Sequence, residues 1–298
     1  MPIPESQLET WTHQGATTTA KATHEAIRRA LAAESSPIKD KDCDIYLQGS
    51  YKNDTNIRGD SDVDIVVQLN STFDPNLASL KADQVRAFHE TYSNATYLWS
   101  HFRADVLAAL RASLGSGNVQ EGNKSLKVAA ASGRLPSDVV PCLLHRVYVD
   151  FHSVADQRYV EGIVFYTLRE QRRVINFPKL HYDNGVTKNS GRHTNGWFKL
   201  TVRMFKNARS YQVDQHVIDA RLAPSYFLES YIYNAPDRLF GGSLQDTFVN
   251  VLNWLAQPSG QLSCQNGIVP LFGASPEQWS QDRAQQLVRA LVDLWKTW

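Results

Sequence analysis

The stretch 48–67 constrains this chain more than any other part of it. It opens on Gln48-Gly49-Ser50, crosses a polar loop, and ends in Asp62-Val63-Asp64-Ile65-Val66-Val67. Alternation of apolar residues from Val63 predicts a strand with Val63, Ile65 and Val67 on a buried face, so Asp62 and Asp64 leave the other face together. Two like charges on one face repel, and a cation between them keeps both ionised. Oxygen-only donors on a rigid strand suit Mg²⁺, which takes octahedral oxygen coordination and shares substrate phosphates. A lone Asp-x-Asp is ordinarily a solvated strand face. Here Gly49-Ser50 closes a preceding strand over 44–48, where glycine lets a phosphate approach the backbone and serine adds a hydroxyl.

The rest of the chain arranges itself around that strand. One long amphipathic helix is expected over 12–33, from Ala20, Ala22, Ile27, Ala30 and Leu31. Helices near 74–92 and 96–114 follow the carboxylate strand. Strands over 124–131, 137–148, 160–168 and 171–177 then read as a mostly antiparallel sheet, with Pro141 assigning the middle of its strand to an edge or strand end. The loop 181–194, rich in Asn, Gly and Ser, marks the expected domain boundary. Helices over 194–212, 223–233, 243–256 and 281–297 complete the chain. This order predicts an α+β core, 1–190, followed by an α-helical domain, 191–298.

Composition narrows the function classes. The chain has 298 residues, 42% of them hydrophobic, enough for a sizeable core. Its 31 basic and 30 acidic side chains nearly cancel, which argues against a general nucleic-acid binder. The three cysteines, Cys43, Cys142 and Cys264, lack metal or disulfide spacing and read as reduced thiols of a cytoplasmic protein. No secretory leader or membrane span is expected.

Three further segments carry candidate groups. Lys199, Arg203 and Lys206 share one face of the 194–212 helix, a pattern that is ordinarily a solvated stripe. Pro224 suits a first helical position, leaving Ser225 at the helix start and Tyr226 able to stack through its ring. Asn176 is a polar residue in an apolar strand, and its amide offers a donor and an acceptor to a base edge or to backbone.

The Gly-Ser turn followed by the Asp-x-Asp strand resembles the DNA polymerase β-like nucleotidyltransferases. More narrowly, Gly49-Ser50-Tyr51, Asn53, Thr55-Asn56-Ile57-Arg58 and Asp60-Ser61-Asp62-Val63-Asp64 resemble the cGAS/DncV-like nucleotidyltransferases, and the bacterial uridine-using clade among them. The resemblance runs the length of the chain. It implies a mixed, mostly antiparallel sheet with a long N-terminal helix, a helical lobe, and an active site in the cleft between them.

It also implies the site. Asp62, Asp64 and a third carboxylate hold two Mg²⁺ ions, with Mn²⁺ as a substitute. Asp138 is the best third carboxylate, ahead of Asp150 and Asp156. Gln48, Gly49 and Ser50 contact the nucleotide; Lys206, with Arg203 second and Lys199 as a solvent-exposed neighbour, meets the donor phosphates. Ser225 touches the triphosphate, Tyr226 stacks on the donor base, and Asn176 reads uracil. The implied activity is template-independent synthesis of a cyclic dinucleotide from NTPs, with cyclic UMP-AMP first and cyclic di-UMP beside it. The implied biology is antiphage signalling through a separate effector, by a monomer that needs no DNA platform. The same site chemistry serves a linear oligonucleotide synthase or transfer to a protein or tRNA end; a non-enzymatic nucleotide sensor is disfavoured, since Gly49, Ser50, Asp62, Asp64 and Asp138 are all intact.

Overall fold

The structure, a computed structural model, describes residues 2–57 and 62–298. Arg58, Asp60 and Ser61 of the motif lie outside the described residues. The chain forms two compact units: the described residues of Thr17–Tyr51 and Ser61–Lys179 make a sheet unit, and those of Met1–Ala16, Lys52–Asp60 and Leu180–Trp298 a helical unit.

The sheet unit holds seven strands: β1 Cys43–Leu47, β2 Val63–Asn76, β3 Val119–Glu121, β4 Leu126–Val128, β5 Ser137–Phe151, β6 Gln157–Tyr166 and β7 Arg173–Asn176. Their order is β1-β2-β5-β4-β3, and β6 pairs with β5 and carries β7. Among the strands of the described residues, only the pairing of β2 with β5 is parallel. Val63, Ile65, Val67 and Val139 are fully buried, in one core with Ile27, Ala30, Phe102, Val106 and Leu110. The last five come from helices α2 Thr18–Leu31 and α5 Trp99–Leu114. The alternation read from the sequence is therefore the one that folds.

Several expected elements differ. The N-terminal helix is two, with α1 Glu5–Thr12 preceding α2. Its apolar residues belong to different cores: Leu8 and Trp11 to the helical unit, Ala20, Ile27 and Leu31 to the sheet unit. Strand β2 continues to Asn76, past a register shift between Leu69 and Phe73, because β5 is long enough to pair with it throughout. The helix expected from 74 consequently starts only at α4 Ala82–Thr91.

Pro141 sits in the central strand, not at an edge. On one side it faces Val67 of β2; on the other, β4 pairs with 137–139 and β6 only from Leu143 onward. Proline, which cannot donate, occupies the gap between the two partners. Its carbonyl accepts from Trp99 Nε1 at 2.8 Å.

The loop expected over 181–194 is largely helix: Pro178–Asn189 forms helix α6. Its buried residues are His181 and Gly185, which do not register as an apolar stripe. The remaining helices fall close to expectation: α7 Trp197–Asp214, α8 Ser225–Tyr233, α9 Leu244–Ala256 and α10 Gln281–Thr297. Ser243 and Ser280 cap the last two by accepting from Asp246 N–H at 3.0 Å and Arg283 N–H at 3.3 Å. Phe198, Val202, Phe205, Leu228, Phe248 and Leu291 form the centre of the helical core. A five-residue helix, Gly49–Asn53 (α3), follows β1.

Candidate active site

In the sheet unit the parallel pairing places Asp64 opposite Asp138. Residues paired across strands project from the same face, so two carboxylates sit side by side on neighbouring strands. Asp62 is exposed immediately before β2, while Asp64 and Asp138 are half-buried. The alternative third carboxylates are placed elsewhere. Asp150 lies twelve residues along β5 from Asp138 (138 to 150) and accepts from Gln84, and Asp156 closes a turn with Ser153.

The Gly-Ser turn is built against this pair. Gln48 N–H donates to Asp64 O at 2.9 Å, extending the β1–β2 ladder by one residue. Gly49 then adopts φ +66, and a Cβ on it would collide with Asp64 Oδ2. Glycine is required there twice over, for its backbone angle and for room beside the carboxylate. Ser50 follows in α3, its hydroxyl without a hydrogen bond among the described residues.

This donor set fits a hard divalent cation: the groups are carboxylates, two in register and the third two residues from one of them. Among the described residues, no three His, Cys, Asp or Glu side chains converge into a complete metal cage. Mg²⁺ is ordinarily held by one or two carboxylates with substrate phosphates and water supplying the rest, and an incomplete cage suits that use.

Asn176 ends β7. Following the register from Asp138 along β5 to Leu144, across to Ile163 and on to Asn176 places its side chain on the same sheet face as Asp64 and Asp138. Its Oδ1 accepts from Phe177 N–H at 2.9 Å. That bond settles which amide atom is which, because a backbone N–H can only donate. Nδ2 makes no hydrogen bond among the described residues. The NH₂ group is left to donate to a ligand, beside one remaining lone pair on Oδ1.

In the helical unit the basic face of α7 is occupied. Lys206 is fully buried and donates from Nζ to Thr55 O at 2.9 Å. Arg203 donates to Thr12 O and Asp54 O, both at 2.5 Å, and Lys199 pairs with Asp54 at 2.8 Å. Burial lowers the Arg203 pKa, with Asp54 opposing. The stripe thus grips the segment that follows α3. It is not a solvated face, and Lys199 is not solvent-exposed, its side chain being mostly covered.

Glu229, on α8, is the centre of this arrangement and was not among the expected residues. It is 4% exposed and accepts from Asn53 Nδ2 at 3.3 Å and Thr55 Oγ1 at 3.0 Å, with His181 Nε2 at 3.3 Å. Burial pushes its carboxyl up, but His181, Lys206 and Thr55 outweigh that and hold it below its ordinary value. The motif residues Asn53, Thr55, Asn56 and Ile57 are all buried. Asn53 and Thr55 anchor this segment to Glu229. A single acid inside the otherwise apolar run of α8 was the available signal.

Ser225 begins α8, and its Oγ accepts from Arg209 Nη1 at 3.3 Å. Pro224 takes the cap position rather than the first turn. Tyr226 stacks on His181 with ring centres 5.2 Å apart and planes 22° apart, and its hydroxyl accepts from Asn266 at 3.1 Å. Burial raises its pKa well above the ordinary phenol range, helped by Cys264. The ring is held rigidly from one side, as a stacking platform requires.

A carboxylate pair on adjacent parallel strands, with a glycine-serine turn pressed against one member, defines a nucleotidyl transferase of the polymerase β-like class. The known-protein comparisons agree. The cGAS/DncV-like nucleotidyltransferase C-terminal helical domain matches residues 183–296, and a nucleotidyltransferase domain matches 26–96. The chain is 52% identical to a cyclic UMP-AMP synthase of Rhodothermus marinus, over 100% of this chain and 99% of that one. It is 41% identical to the cyclic nucleotide synthase CdnE01 of Staphylococcus haemolyticus, over 100% of both. The solved structure of Rhodothermus marinus CdnE c-UMP-AMP synthase with Apcpp and Upnpp matches with a TM-score of 0.89 and 50% identity, over 100% of this chain and 98% of that one. The chain belongs to the cGAS/DncV-like nucleotidyltransferases, in their CdnE group of cyclic dinucleotide synthases.

Proposed function

We propose that the protein joins a uridine and an adenosine nucleotide into cyclic UMP-AMP. In each of two transfers a ribose hydroxyl loses its proton and its oxygen bonds to an α-phosphorus. The bond from that phosphorus to pyrophosphate breaks. Gly49 leaves room for the triphosphate to approach the backbone, and the Ser50 hydroxyl donates to it. Tyr226 stacks on a base, and Ser225 reaches the phosphates from the start of α8. Arg203 and Lys206 hold segment 54–55 in place.

Asp62, Asp64 and Asp138 would hold two Mg²⁺ ions, or Mn²⁺ in their stead. Such ions acidify the attacking hydroxyl and carry charge on the leaving oxygens.

The uridine assignment rests on one observation. Asn176 Oδ1 accepts from Phe177 N–H, and its NH₂ group, without a partner among the described residues, is placed to donate. Uracil presents O4 as an acceptor, whereas cytosine presents an amino group at the same edge. We place the enzyme in the cytoplasm, as a monomer whose product is read by a separate effector in antiphage defence. Near-neutral charge fits activity without a DNA platform.

The test is incubation with all four NTPs and Mg²⁺ or Mn²⁺, then phosphatase, then mass spectrometry. A phosphatase-resistant mass of one U plus one A is expected. A resistant purine-only product would overturn the base assignment, and only phosphatase-sensitive products would make the enzyme a linear synthase.

A further inference from the structure

The aspartate pair is the middle of a longer row. Gln48 N–H meets Asp64 from β1, Asp64 faces Asp138 from β2 to β5, Asp138 faces Lys127 of β4, and Lys127 faces Gln120 of β3. Four adjacent strands, and the residue that follows β1, therefore contribute one residue each along a single line across the sheet. The Gly49-Ser50 turn stands at one end, the carboxylates in the middle, and a lysine beyond them. Neighbouring strands are about 4.8 Å apart, so Lys127 lies about one strand from Asp138 and about two from Asp64.

At the lysine end is a hollow of about 240 Å³, lined by Asp62, Asn118, Gln120, Lys127, Ser137 and Asp138 among others. Lys127 is exposed and makes no hydrogen bond or ion pair among the described residues, although Asp138 is its neighbour in register. It shares its sheet face with Asp138 and Gln120, so its charge is available to a ligand at the hollow.

In-line displacement puts the leaving group and the attacking hydroxyl on opposite sides of the reacting phosphorus. The Gly49-Ser50 end receives the donor triphosphate, so the attacking nucleotide must enter from the other end of the row. We propose that Lys127 binds a phosphate of the nucleotide that supplies the attacking hydroxyl, with Gln120, its neighbour in register, completing that contact. The hollow is below the size of an ordinary small-molecule pocket, and it fits a ribose-phosphate portion of the ligand with the base lying outside. Lys127 is thus a binding residue for the acceptor and makes no contact with the donor. The proposal rests on the nucleotidyl-transfer reading.

Two arms test it, using the full chain and the variants Lys127→Ala, Lys127→Glu and Lys127→Arg. In steady state with ATP and UTP, Lys127→Ala raises KM for one nucleotide about tenfold or more and leaves the other within about twofold; one missing charge-assisted hydrogen bond has that size. Lys127→Glu exceeds it, and Lys127→Arg restores most of the loss. In the second arm, calorimetric binding of non-reacting ATP and UTP analogues needs no turnover. Wild type binds two molecules per chain, and Lys127→Glu weakens one site alone. Unchanged affinities, an equal loss at both sites, or a single site in wild type each overturn the proposal. A wild type that binds two analogues but makes no nucleotide product would sink the synthase reading, while the second arm still reports on Lys127. Lys127 is exposed on its strand, so equal melting temperatures are expected across the variants; a drop confined to Lys127→Glu leaves Lys127→Ala to decide.

Discussion

The substitution Asn176→Asp tests base selection with the least change of shape. Asn176 Oδ1 accepts from Phe177 N–H at 2.9 Å. A carboxylate keeps that bond and the same volume. What changes is the other atom: the NH₂ left for the ligand becomes an oxygen that can only accept. Against uracil O4, the variant loses one hydrogen bond and sets two acceptors against each other. An unmet polar group in a covered site costs about 1–3 kcal/mol, which is roughly 5- to 150-fold in kcat/KM at 1.4 kcal/mol per tenfold. Against cytosine the sign reverses, since the N4 amino group now finds an acceptor. The UTP/CTP preference is therefore expected to fall by more than the UTP rate itself. Competition assays with all four NTPs at equal concentration, read by product mass, measure both quantities. A uniform fall across all bases would refute the reasoning, because it would mean that the new carboxylate disturbs the strand and not the base edge. An unchanged UTP/CTP ratio would refute it more directly.

Gly162→Ala perturbs the same site from beneath, since its Cβ would lie 2.8 Å from Phe177 Cε1 and 2.9 Å from Asn176 O. Overpacking of this kind costs about 1–3 kcal/mol; a lower melting temperature and a measurable loss of uridine preference are expected. Gly49→Ala would drive a methyl into Asp64 Oδ2, and a loss of turnover of about 100-fold or more is expected in single-turnover assays, on the scale that misplacing a reacting group produces. Glu229→Ala leaves His181 and Lys206 without their buried carboxylate and is expected to cost about 3–5 kcal/mol in denaturant unfolding. Because the folded Glu229 carboxyl is held below its ordinary value, its contribution is fully present above the usual glutamate range and is lost as pH falls through the folded value. Glu229→Gln is accordingly expected to flatten the acid limb of the stability profile.

The parts of the molecule legible in the sequence are those where a local pattern and the tertiary structure agree. The alternation Val63, Ile65, Val67 opposite Asp62 and Asp64 survives folding because one face of β2 is core and the other sets Asp64 beside Asp138. The helices of the C-terminal region were equally readable, each with an apolar stripe and, for α9 and α10, a serine cap. Failures occurred where a partner overrides the local pattern. Pro141 reads as an edge signal, yet it lies in the central strand because β4 and β6 share one side of β5 and leave a gap between them. Helix α6 carries Asn, Gly and a buried His where an apolar stripe would be expected. The basic stripe of α7 was visible, but its purpose was not. Spacing reports that Lys199, Arg203 and Lys206 share a face and cannot report that segment 54–55 covers it.

That covering explains why the motif is as long as it is. A phosphate turn and a carboxylate strand need only Gly49-Ser50 and Asp62-x-Asp64, and a two- or three-residue connection would join them. The chain instead spends Asn53, Thr55, Asn56 and Ile57 on burial in the helical unit, under Lys206 and Glu229. Buried charges are a poor source of net stability, since desolvation offsets most of their attraction. They do discriminate strongly between one placement of the segment and any other, because a displaced Thr55 would take an acceptor from Lys206 and a donor from Glu229. Lys206 and Glu229 therefore act through position: they fix where Asn53 and Thr55 lie in the helical unit, and their loss is expected to lower the denaturation midpoint.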